Sequence, residues 1–409
     1  MLYKYIHKYI YLLGMRNFLK RRKLFILFVV VLVVGAFFIF DEVDERSLFY
    51  KTPPKDPEEI VQWLSENVDN NDHDVFIKLD YKVPSWEELD RINESLPSKH
   101  NYPGYIKAVQ TYGTLPNLIE VLYFGDVLKD LGVNTQFIHA NYRFKEDGFK
   151  FWYLGYDRPK DLSQDESKRA LVHNILLAKQ QGLAVILFPD YVQLEDGGMS
   201  ELGISSDLED RLETIALELA QIAEKYNVEY LVPSNQIEMI LSSNGYSVSE
   251  THSRTNAYYA RVVPKIREIY SGKVFYKMGG FNRWENYDGI SLEGADLFGF
   301  TSCHTTPELE FIDWDMQALA QQANKLSEKY GVPWINAEFV ISNAADQMNM
   351  FGEVRTDYPI EVNYKAGLDA FEKYGENAVG FTVHSLLGAG KVYDTKAFPL
   401  IKEFFSSKN

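Results

Sequence analysis

The chain of 409 residues has a single cysteine, Cys303, and a shortage of positive charge. One cysteine excludes an intrachain disulfide framework, so we expect the hydrophobic core alone to hold the fold together. The formal net charge is −16, and an acidic protein repels phosphate backbones. We therefore expect no nucleic-acid partner. The hydrophobic content of 46% is enough for one large core or two ordinary ones.

Motifs typical of three other classes of protein are also missing. A metal-dependent barrel hydrolase requires a His-x-His pair after its first strand, whereas His139 is followed two residues later by Asn141. A cysteine nucleophile requires a histidine base, but Cys303 and the adjacent His304 would point to opposite faces of one strand. A doubly wound open sheet usually has a glycine-rich turn after its first strand, and none is present. We expect no metal and no other cofactor.

One uncharged apolar run covers residues 24–40, LFILFVVVLVVGAFFIF. Its length is at the short end of the range for a transmembrane helix. The bulky residues Phe37–Phe40 argue against a cleaved signal peptide, and the lack of a polar stripe argues against a buried core helix. Residues 1–23 contain seven basic and no acidic residues, whereas acidic residues begin at Asp41. The positive-inside rule then predicts a cytoplasmic segment over 1–23, a single transmembrane helix over 24–40, and an extracytoplasmic remainder.

A repeated pattern fills the rest of the chain. Six helix-like segments each end at a glycine or an asparagine and are followed by a short apolar run. The six capping residues are Gly132, Gly182, Asn227, Gly272, Gly331 and Gly375. Both residue types accept the left-handed conformation that ends a helix. Helix, cap and short buried strand, repeated this often, are typical of a parallel α/β sheet.

We predict a (β/α)8 TIM barrel over residues 104–409, preceded by a tether and N-terminal extension over 41–103. The predicted strands are Tyr105–Gln110, Thr135–Asn141, Ala184–Asp190, Glu229–Pro233, Val274–Met278, Leu297–Thr301, Pro333–Ala337 and Val379–His384. The predicted helices include Asp207–Tyr226, Ser253–Tyr270, Asp313–Tyr330 and Ile360–Tyr374. The aromatic-rich segment Arg143–Lys160 is predicted to be a long loop above the second strand. Strands buried on both faces favour the closed barrel over a doubly wound open sheet.

Two glutamates follow predicted strands, which is where a barrel of this kind collects its functional residues. Glu338 ends the seventh strand after Trp334–Ala337, and Glu238 follows the end of the fourth strand. Paired carboxyl groups are what glycosidic cleavage needs, one as nucleophile or base and the other as proton donor. The alternatives are a solvated loop acid or a structural ion pair.

Residues 104–405 resemble the clan A retaining glycoside hydrolases and are similar to families 5, 53 and 113. The resemblance rests on Gly182–Asp190, on Asp296–His304 and on the apolar strand that ends in Glu338-Phe339. It implies a (β/α)8 barrel in which Glu338 is the nucleophile and the acid/base residue follows the fourth strand.

The departure from the clan lies at that acid/base position, where Asn-Glu is replaced by Asn235-Gln236. Glutamine cannot give up a proton, and three interpretations stay open. Glu238 could be the proton donor, because residues 236 and 238 share strand parity. The enzyme could act without a protein acid on substrates with good leaving groups, with Gln236 holding a water, as the resemblance to thioglycosidases with Asn-Gln implies. The barrel could also bind glycans without cleaving them.

The resemblance implies that Asn235 hydrogen-bonds the sugar 2-hydroxyl group. Other residues at predicted strand ends are candidates for the pocket lining: Asn141, Asp190, Tyr276, His304 and His384. Trp284 and Trp314 are predicted to lie in loops after the fifth and sixth strands, where flat rings can stack on sugar faces. For each of these residues the alternative is an ordinary packing role.

The sequence thus predicts a membrane-anchored, extracytoplasmic glycosidase that cleaves glycosidic bonds in a polysaccharide or glycoconjugate by a retaining mechanism. The alternative is an inactive or weakened barrel that acts as a glycan-binding surface protein. The expected partners are a carbohydrate and, through residues 24–40, a lipid bilayer. No obligate protein partner is inferred.

Overall fold

In the part of the chain that the structure describes, eight parallel strands and one antiparallel hairpin strand form one sheet. A computed structural model describes residues 82–111, 114–145, 148–151, 163–192, 208–279, 287–304, 309–341, 360–384, 386, 392–393 and 395–408. The strands are β1 (Ile106–Gln110), β2 (Thr135–Lys145), β3 (Gly148–Phe151), β4 (Ala184–Val192), β5 (Tyr230–Leu231), β6 (Lys273–Met278), β7 (Leu297–His304), β8 (Trp334–Ile341) and β9 (Ala378–His384).

The sheet closes on itself. β1 pairs in parallel with β9, where Gln110 lies opposite His384, and with β2, where Ala108 lies opposite Thr135. The remaining strands follow in the order β9, β8, β7, β6, β5, β4 and β2. The predicted closed barrel and all eight of its predicted strands are therefore confirmed, and the open doubly wound sheet is excluded.

Helices connect the strands in the described ranges. They are α1 (Trp86–Glu94), α2 (Thr114–Tyr123), α3 (Gly125–Leu131), α4 (Gln164–Gln180), α5 (Leu208–Lys225), α6 (Ile237–Ser243), α7 (Val248–Ile269), α8 (Leu309–Tyr330), α9 (Ile360–Tyr374) and α10 (Ala397–Ser407). The four helices predicted from the sequence correspond to α5, α7, α8 and α9. The loop predicted over 143–160 is wrong in its first part, because β2 continues to Lys145 and pairs with β3 as a hairpin. Residues 152–160 lie outside the described ranges.

Four of the six predicted caps have the left-handed backbone, with φ values of 84° at Gly132, 79° at Gly182, 69° at Gly331 and 51° at Asn227. Gly272 does not, and its role is a close approach. A Cβ atom at Gly272 would lie 2.2 Å from the hydroxyl oxygen of Tyr270, which donates a hydrogen bond to the Val228 carbonyl at 2.8 Å. Gly375 does not have the left-handed backbone either, so that prediction is also wrong there, and a Cβ atom at this position would lie 2.7 Å from the Phe371 carbonyl oxygen.

The N-terminal ends of the strands are tied together by a buried carboxylate. Glu229, which precedes β5, is fully buried and accepts a hydrogen bond from Lys179 at 2.7 Å. It also accepts the backbone N–H groups of Asn101 at 3.0 Å and Val185 at 2.9 Å. Chain segments that enter β1, β4 and β5 therefore share one anion at the end of the barrel opposite the predicted site.

The N-terminal extension is described from residue 82 onward. α1 begins with a capping box in which Ser85 and Glu88 bond each other's backbone N–H groups. The indole of Trp86 donates to Asp165 at 2.8 Å, which fixes α1 to the start of α4. The predicted transmembrane helix over 24–40 lies outside the described residues. Among the helices that are described, none combines the length and the apolar character needed to cross a bilayer.

Apolar side chains from alternating strand positions fill the barrel interior. They are Ile106, Ala108, Phe137, Ile186, Phe188, Tyr230, Val232, Phe275, Leu297, Ile335 and Ala337. Because side chains alternate along a strand, residues two positions nearer the C-terminal end share this interior face. His139, Asp190 and Lys277 are such residues, and they begin a polar layer above the apolar one.

Candidate active site

Glu338 is the central acid of this polar layer, and a β-bulge places it there. Asn336 pairs with Phe300 but Glu338 pairs with Thr301, so Ala337 is an extra residue in β8. A bulge of this kind shifts the alternation by one, and Glu338 faces the barrel interior as Ala337 does. The next residue, Phe339, packs outside the barrel against Tyr364 of α9.

The Glu338 carboxylate is 4% exposed and has three polar neighbours. Its Oε2 atom accepts a hydrogen bond from Lys277 Nζ at 2.8 Å and another from the Thr301 hydroxyl at 3.2 Å. Its Oε1 atom lies 3.8 Å from Nε2 of His384. Within the described ranges, no hydrogen bond reaches Oε1, so one carboxylate oxygen is held and the other is available for attack.

The charge state of Glu338 follows from these neighbours. Burial disfavours the anion, but the Lys277 ammonium and, less strongly, His384 outweigh it and lower the pKa of the Glu338 carboxyl to about 2. Burial lowers the pKa of His384 to about 4, against the attraction of Glu338. At neutral pH the site therefore holds an ionised glutamate beside a neutral histidine.

Lys277 is a site residue that sequence reasoning missed. It follows Phe275 by two positions on β6, so it shares the interior face, whereas Tyr276 points to the helices. Tyr276 stacks on Tyr259 with ring centroids 3.8 Å apart and donates to the Glu293 carbonyl at 2.8 Å. The prediction that Tyr276 lines the pocket is therefore wrong. A lysine within the predicted buried strand Val274–Met278 was the signal that could have identified Lys277.

Asn235 and Gln236 both join this group of residues. Asn235 Oδ1 lies 3.3 Å from Lys277 Nζ, and Gln236 Nε2 donates to the Thr301 hydroxyl at 2.8 Å. Gln236 also has left-handed backbone angles, φ 52° and ψ 44°, at the start of α6. This conformation costs a residue with a side chain about 1–2 kcal/mol, so the surrounding contacts must hold it.

Glu238 does not extend from the barrel as the strand-parity argument assumed. Strand β5 ends at Leu231, and residues 237–243 form α6, so the alternation does not reach residue 238. Gln236 precedes this helix with left-handed backbone angles, so strand parity does not relate the direction of its side chain to that of Glu238. The basis of that prediction is wrong, and the proton-donor role itself stays a prediction.

The contacts of Glu238 lie in the wall of the barrel. Its carboxyl group is fully buried, and Oε1 accepts the Gly279 N–H at 2.6 Å and lies 3.4 Å from the Tyr287 hydroxyl. Burial raises the pKa of Glu238 to about 7, against these hydrogen bonds. A group that holds its proton near neutral pH suits an acid catalyst, but an enclosed one has no path to a leaving group.

The opposite side of the mouth carries a second polar pair. His139 Nδ1 lies 3.4 Å from Asp190 Oδ2, and Asn141 lies opposite Asp190 in the pairing of β2 with β4. Oδ1 of Asn141 is buried and has no hydrogen-bond partner among the described residues. Asn141 and Asp190 thus lie with His139 in the polar layer of the barrel interior, and His384 lies beside Glu338. That they line a substrate pocket stays a prediction.

The remaining predicted residues differ in their outcome. Trp314 is not in a loop but on α8, where it is 57% exposed and its ring centroid lies 5.6 Å from that of Phe311. Trp284 lies outside the described residues. His304 is the last residue of β7, and its side chain is not among those described.

The barrel is similar to several solved structures. They include a family 113 β-1,4-mannanase (14% identity, 75% of this chain and 100% of that chain, TM-score 0.56). Another is the family 113 β-mannanase AaManA from Alicyclobacillus acidocaldarius in complex with ManMIm (14%, 75% and 98%, 0.55). A third is an endo-β-1,4-mannanase from Thermotoga petrophila (14%, 74% and 76%, 0.51). No protein-family model matches the sequence, and no curated protein matches it significantly.

These similarities concern the fold, because the sequence identities are low. The chain has a (β/α)8 fold like that of these mannanases, which confirms the fold that the resemblance in the sequence implied. The site adds one ionised glutamate, one buried lysine and two amide side chains at the C-terminal ends of the strands. This set can bind hydroxyl groups and present a nucleophilic oxygen.

Proposed function

We propose that the barrel is a glycoside hydrolase-like domain that binds a polysaccharide or glycoconjugate and uses Glu338 as the nucleophile of a retaining mechanism. The observation that carries the proposal is the ionised Glu338 carboxylate, held through Oε2 by Lys277 and Thr301. A retaining glycosidase needs such an anion below the sugar ring. Asn235, bonded to the same lysine, is close enough to bind the neighbouring hydroxyl group.

The proton for the leaving group is the missing part. Gln236 has no acidic proton, and Glu238 is enclosed in the barrel wall. We therefore propose that, among these ligands, only glycoconjugates whose leaving groups depart as stable anions are cleaved. Glu338 then forms a bond to the anomeric carbon, and the bond to the leaving atom breaks with its electron pair. In the second step water forms a bond to the anomeric carbon, the bond to Glu338 breaks and restores its carboxylate, and the proton of the water passes to solvent. No protein acid is required in the first step.

A covalent-trapping experiment tests this proposal. The full-length chain, purified in mild detergent, is incubated with 2-deoxy-2-fluoro glycosides that carry a dinitrophenolate leaving group, because fluorine slows the release of the glycosyl enzyme. We expect mass spectrometry to locate one glycosyl adduct on Glu338. The variant Glu338→Gln should form none. Adducts elsewhere, or none on a protein that binds glycans, would contradict the nucleophile assignment.

A second candidate is a glycan-binding protein without hydrolysis, and the Asn235-Gln236 pair favours it. Binding to a glycan panel separates the two candidates, and β-1,4-mannan should be included because the similar structures are β-1,4-mannanases. A protein that binds a glycan with unchanged affinity in Glu338→Gln, and that is never trapped, is a binding protein. A wild-type protein that binds no glycan of the panel would reject both candidates.

We also propose that residues 24–40 anchor the chain in the cell membrane and that the barrel is extracytoplasmic. The proposal rests on the apolar run and on the seven basic residues that precede it. Alkaline carbonate extraction should leave the full-length chain in the membrane pellet, and protease added to intact cells should degrade the barrel. Release by carbonate would contradict the anchor, and protection from protease would contradict the orientation.

A further inference from the structure

The ammonium group of Lys277 is buried in the centre of the site. Its side chain is 1% exposed, and Nζ lies 5.4 Å from the ring centroid of Phe188 in the apolar layer below. Three oxygen atoms surround it: Glu338 Oε2 at 2.8 Å, Thr301 Oγ1 at 3.1 Å and Asn235 Oδ1 at 3.3 Å. An ammonium group has three donors and no acceptor, so each proton has one partner.

The contact with Lys277 fixes the orientation of the Asn235 amide. Only an oxygen can face a lysine ammonium, because an amide nitrogen would bring two donors together. The NH2 group of Asn235 is therefore the half left for a ligand. Asn235 can then donate a hydrogen bond to a sugar hydroxyl oxygen rather than accept one.

The Thr301 hydroxyl fixes the orientation of the Gln236 amide in a similar way. Thr301 donates its single proton to Glu338, and it accepts from Lys277 and from Gln236 Nε2. The atom of residue 236 that faces Thr301 must be a donor, which an amide supplies and a carboxylate does not. The ammonium of Lys277, joined to residue 236 through one hydroxyl group, also favours the ionised form of any carboxyl group placed there.

We propose that Lys277 is the positioning residue of this site, taking the place of the second carboxyl group as the partner of Glu338. It keeps Glu338 ionised, turns the NH2 group of Asn235 to the ligand, and makes an amide the suitable side chain at position 236. The inference rests on the proposed function, because the role of Lys277 is defined by the reaction of Glu338. The effect of Lys277 on the ionisation of Glu338 can nevertheless be measured without any substrate.

The substrate-dependent test follows the pH dependence of trapping. In the wild type, Glu338 stays ionised in acid, so the rate of adduct formation should change little between about pH 4.5 and pH 7. In Lys277→Met the main influence that opposes burial is gone and Glu338 becomes protonated more readily, so the rate at about pH 4.5 should fall by on the order of tenfold relative to pH 7. Lys277→Arg restores the cation and should restore the flat profile, whatever its absolute rate.

The substrate-free test uses protein stability. A carboxyl group whose folded pKa lies below its unfolded value stabilises the fold above the unfolded pKa and loses that contribution as the pH falls. The wild type loses this contribution between about pH 4.5 and pH 2, and Lys277→Met lacks it, so the gap between their urea midpoints should narrow as the pH falls from about 5 to about 2. His384 and His139, which also face Glu338, and Asp190, which pairs with His139, are the same in both proteins.

The matched control is Lys365→Met, which removes an exposed lysine that pairs with Asp369 on α9. It should leave both pH profiles unchanged. A urea-midpoint gap for Lys277→Met that does not vary with pH would overturn the inference. A gap that narrows in a protein that no glycoside traps would instead retain Lys277 as the partner of Glu338 and reject the proposed nucleophilic role.

Discussion

Asn235 and Gln236 are adjacent in the chain, yet their amide groups are turned in opposite senses. Asn235 accepts a hydrogen bond from Lys277 through its oxygen, and Gln236 donates one to Thr301 through its nitrogen. The left-handed backbone at Gln236 allows both side chains to reach the interior of the barrel from consecutive positions. One amide therefore offers its NH2 group to a ligand, and the other offers its carbonyl oxygen.

The first prediction concerns Asn235. Asn235→Ala removes a donor to the sugar hydroxyl and should weaken glycan binding about tenfold, the usual worth of one hydrogen bond. Asn235→Asp keeps the shape of the side chain but presents an acceptor, and it should weaken glycan binding at least as much as Asn235→Ala. Isothermal titration with the best ligand of the panel provides the measurement. Equal affinity in Asn235→Asp and the wild type would show that the donor is not used.

The second prediction concerns the pair Gln236 and Lys277. Gln236→Glu alone should not restore acid catalysis, because the ammonium holds the new carboxyl group ionised. The double variant Gln236→Glu with Lys277→Met has two carboxyl groups and no cation, so one of them keeps a proton at neutral pH. It should cleave unactivated glycosides faster than either single variant, by on the order of 10²-fold if the new acid is well placed.

Hydrolysis of an unactivated oligosaccharide, followed by chromatography of the products, measures this effect. The single variant Lys277→Met, which retains Gln236, serves as the control. If Gln236→Glu alone is as active as the double variant, the cation does not govern the protonation of residue 236.

The third prediction concerns Glu238 and the pH dependence of stability. Its pKa is about 7 in the folded protein and close to the ordinary 4.5 when unfolded. Between these values the folded state holds a proton that the unfolded state releases, so stability falls as the pH rises, by about 3 kcal/mol in total. Glu238→Gln removes this loss, and its unfolding free energy should decline less than that of the wild type from about pH 5 to pH 8.

Urea unfolding at several pH values measures the difference, and Glu403→Gln, an exposed glutamate on α10, is the matched control. Parallel profiles for Glu238→Gln and the wild type would mean that Glu238 is ionised in the fold at neutral pH. In that case a path to solvent must exist, and the proton-donor role would regain support.

The fourth prediction concerns the ion pair at the far end of the barrel. Lys179→Met leaves the Glu229 carboxylate buried without its cation, and it should destabilise the protein by about 3–5 kcal/mol. The exposed control Lys365→Met should change stability little. The double variant Lys179→Met with Glu229→Gln should recover part of the loss, because the buried charge is gone. Denaturant unfolding decides, and a single variant as stable as the wild type would contradict the prediction.

The barrel was predictable from the sequence because its signals are local. A cap such as Gly182 followed by a buried strand such as β4 marks each unit, and the eight strands fall where these signals place them. Glu338 was predictable as a site residue because a carboxylate at the end of an apolar barrel strand lies where such barrels collect their functional residues. The bulge at Ala337 that turns it inward leaves no mark in the composition of β8.

The misses have a common physical cause, which is that side-chain direction depends on backbone details of a single residue. Tyr276 and Lys277 are neighbours on β6, and only the phase of the alternation decides which one enters the site. Glu238 was misplaced because the left-handed Gln236 starts a helix where the strand was extrapolated. No residue type in the sequence indicates the phase of the alternation in β6 or the left-handed backbone at Gln236.

The extra residue in β8 determines which side chain of this strand faces the barrel interior. If β8 kept Ala337 but paired with β7 without the bulge, regular alternation would turn the Glu338 carboxyl group towards α9 and point the ring of Phe339 into the mouth. No functional side chain would be altered, yet the chemistry would vanish. Deletion of Ala337, by contrast, is expected to leave Glu338 on the interior face, because the glutamate then occupies the inward position of the regular pairing.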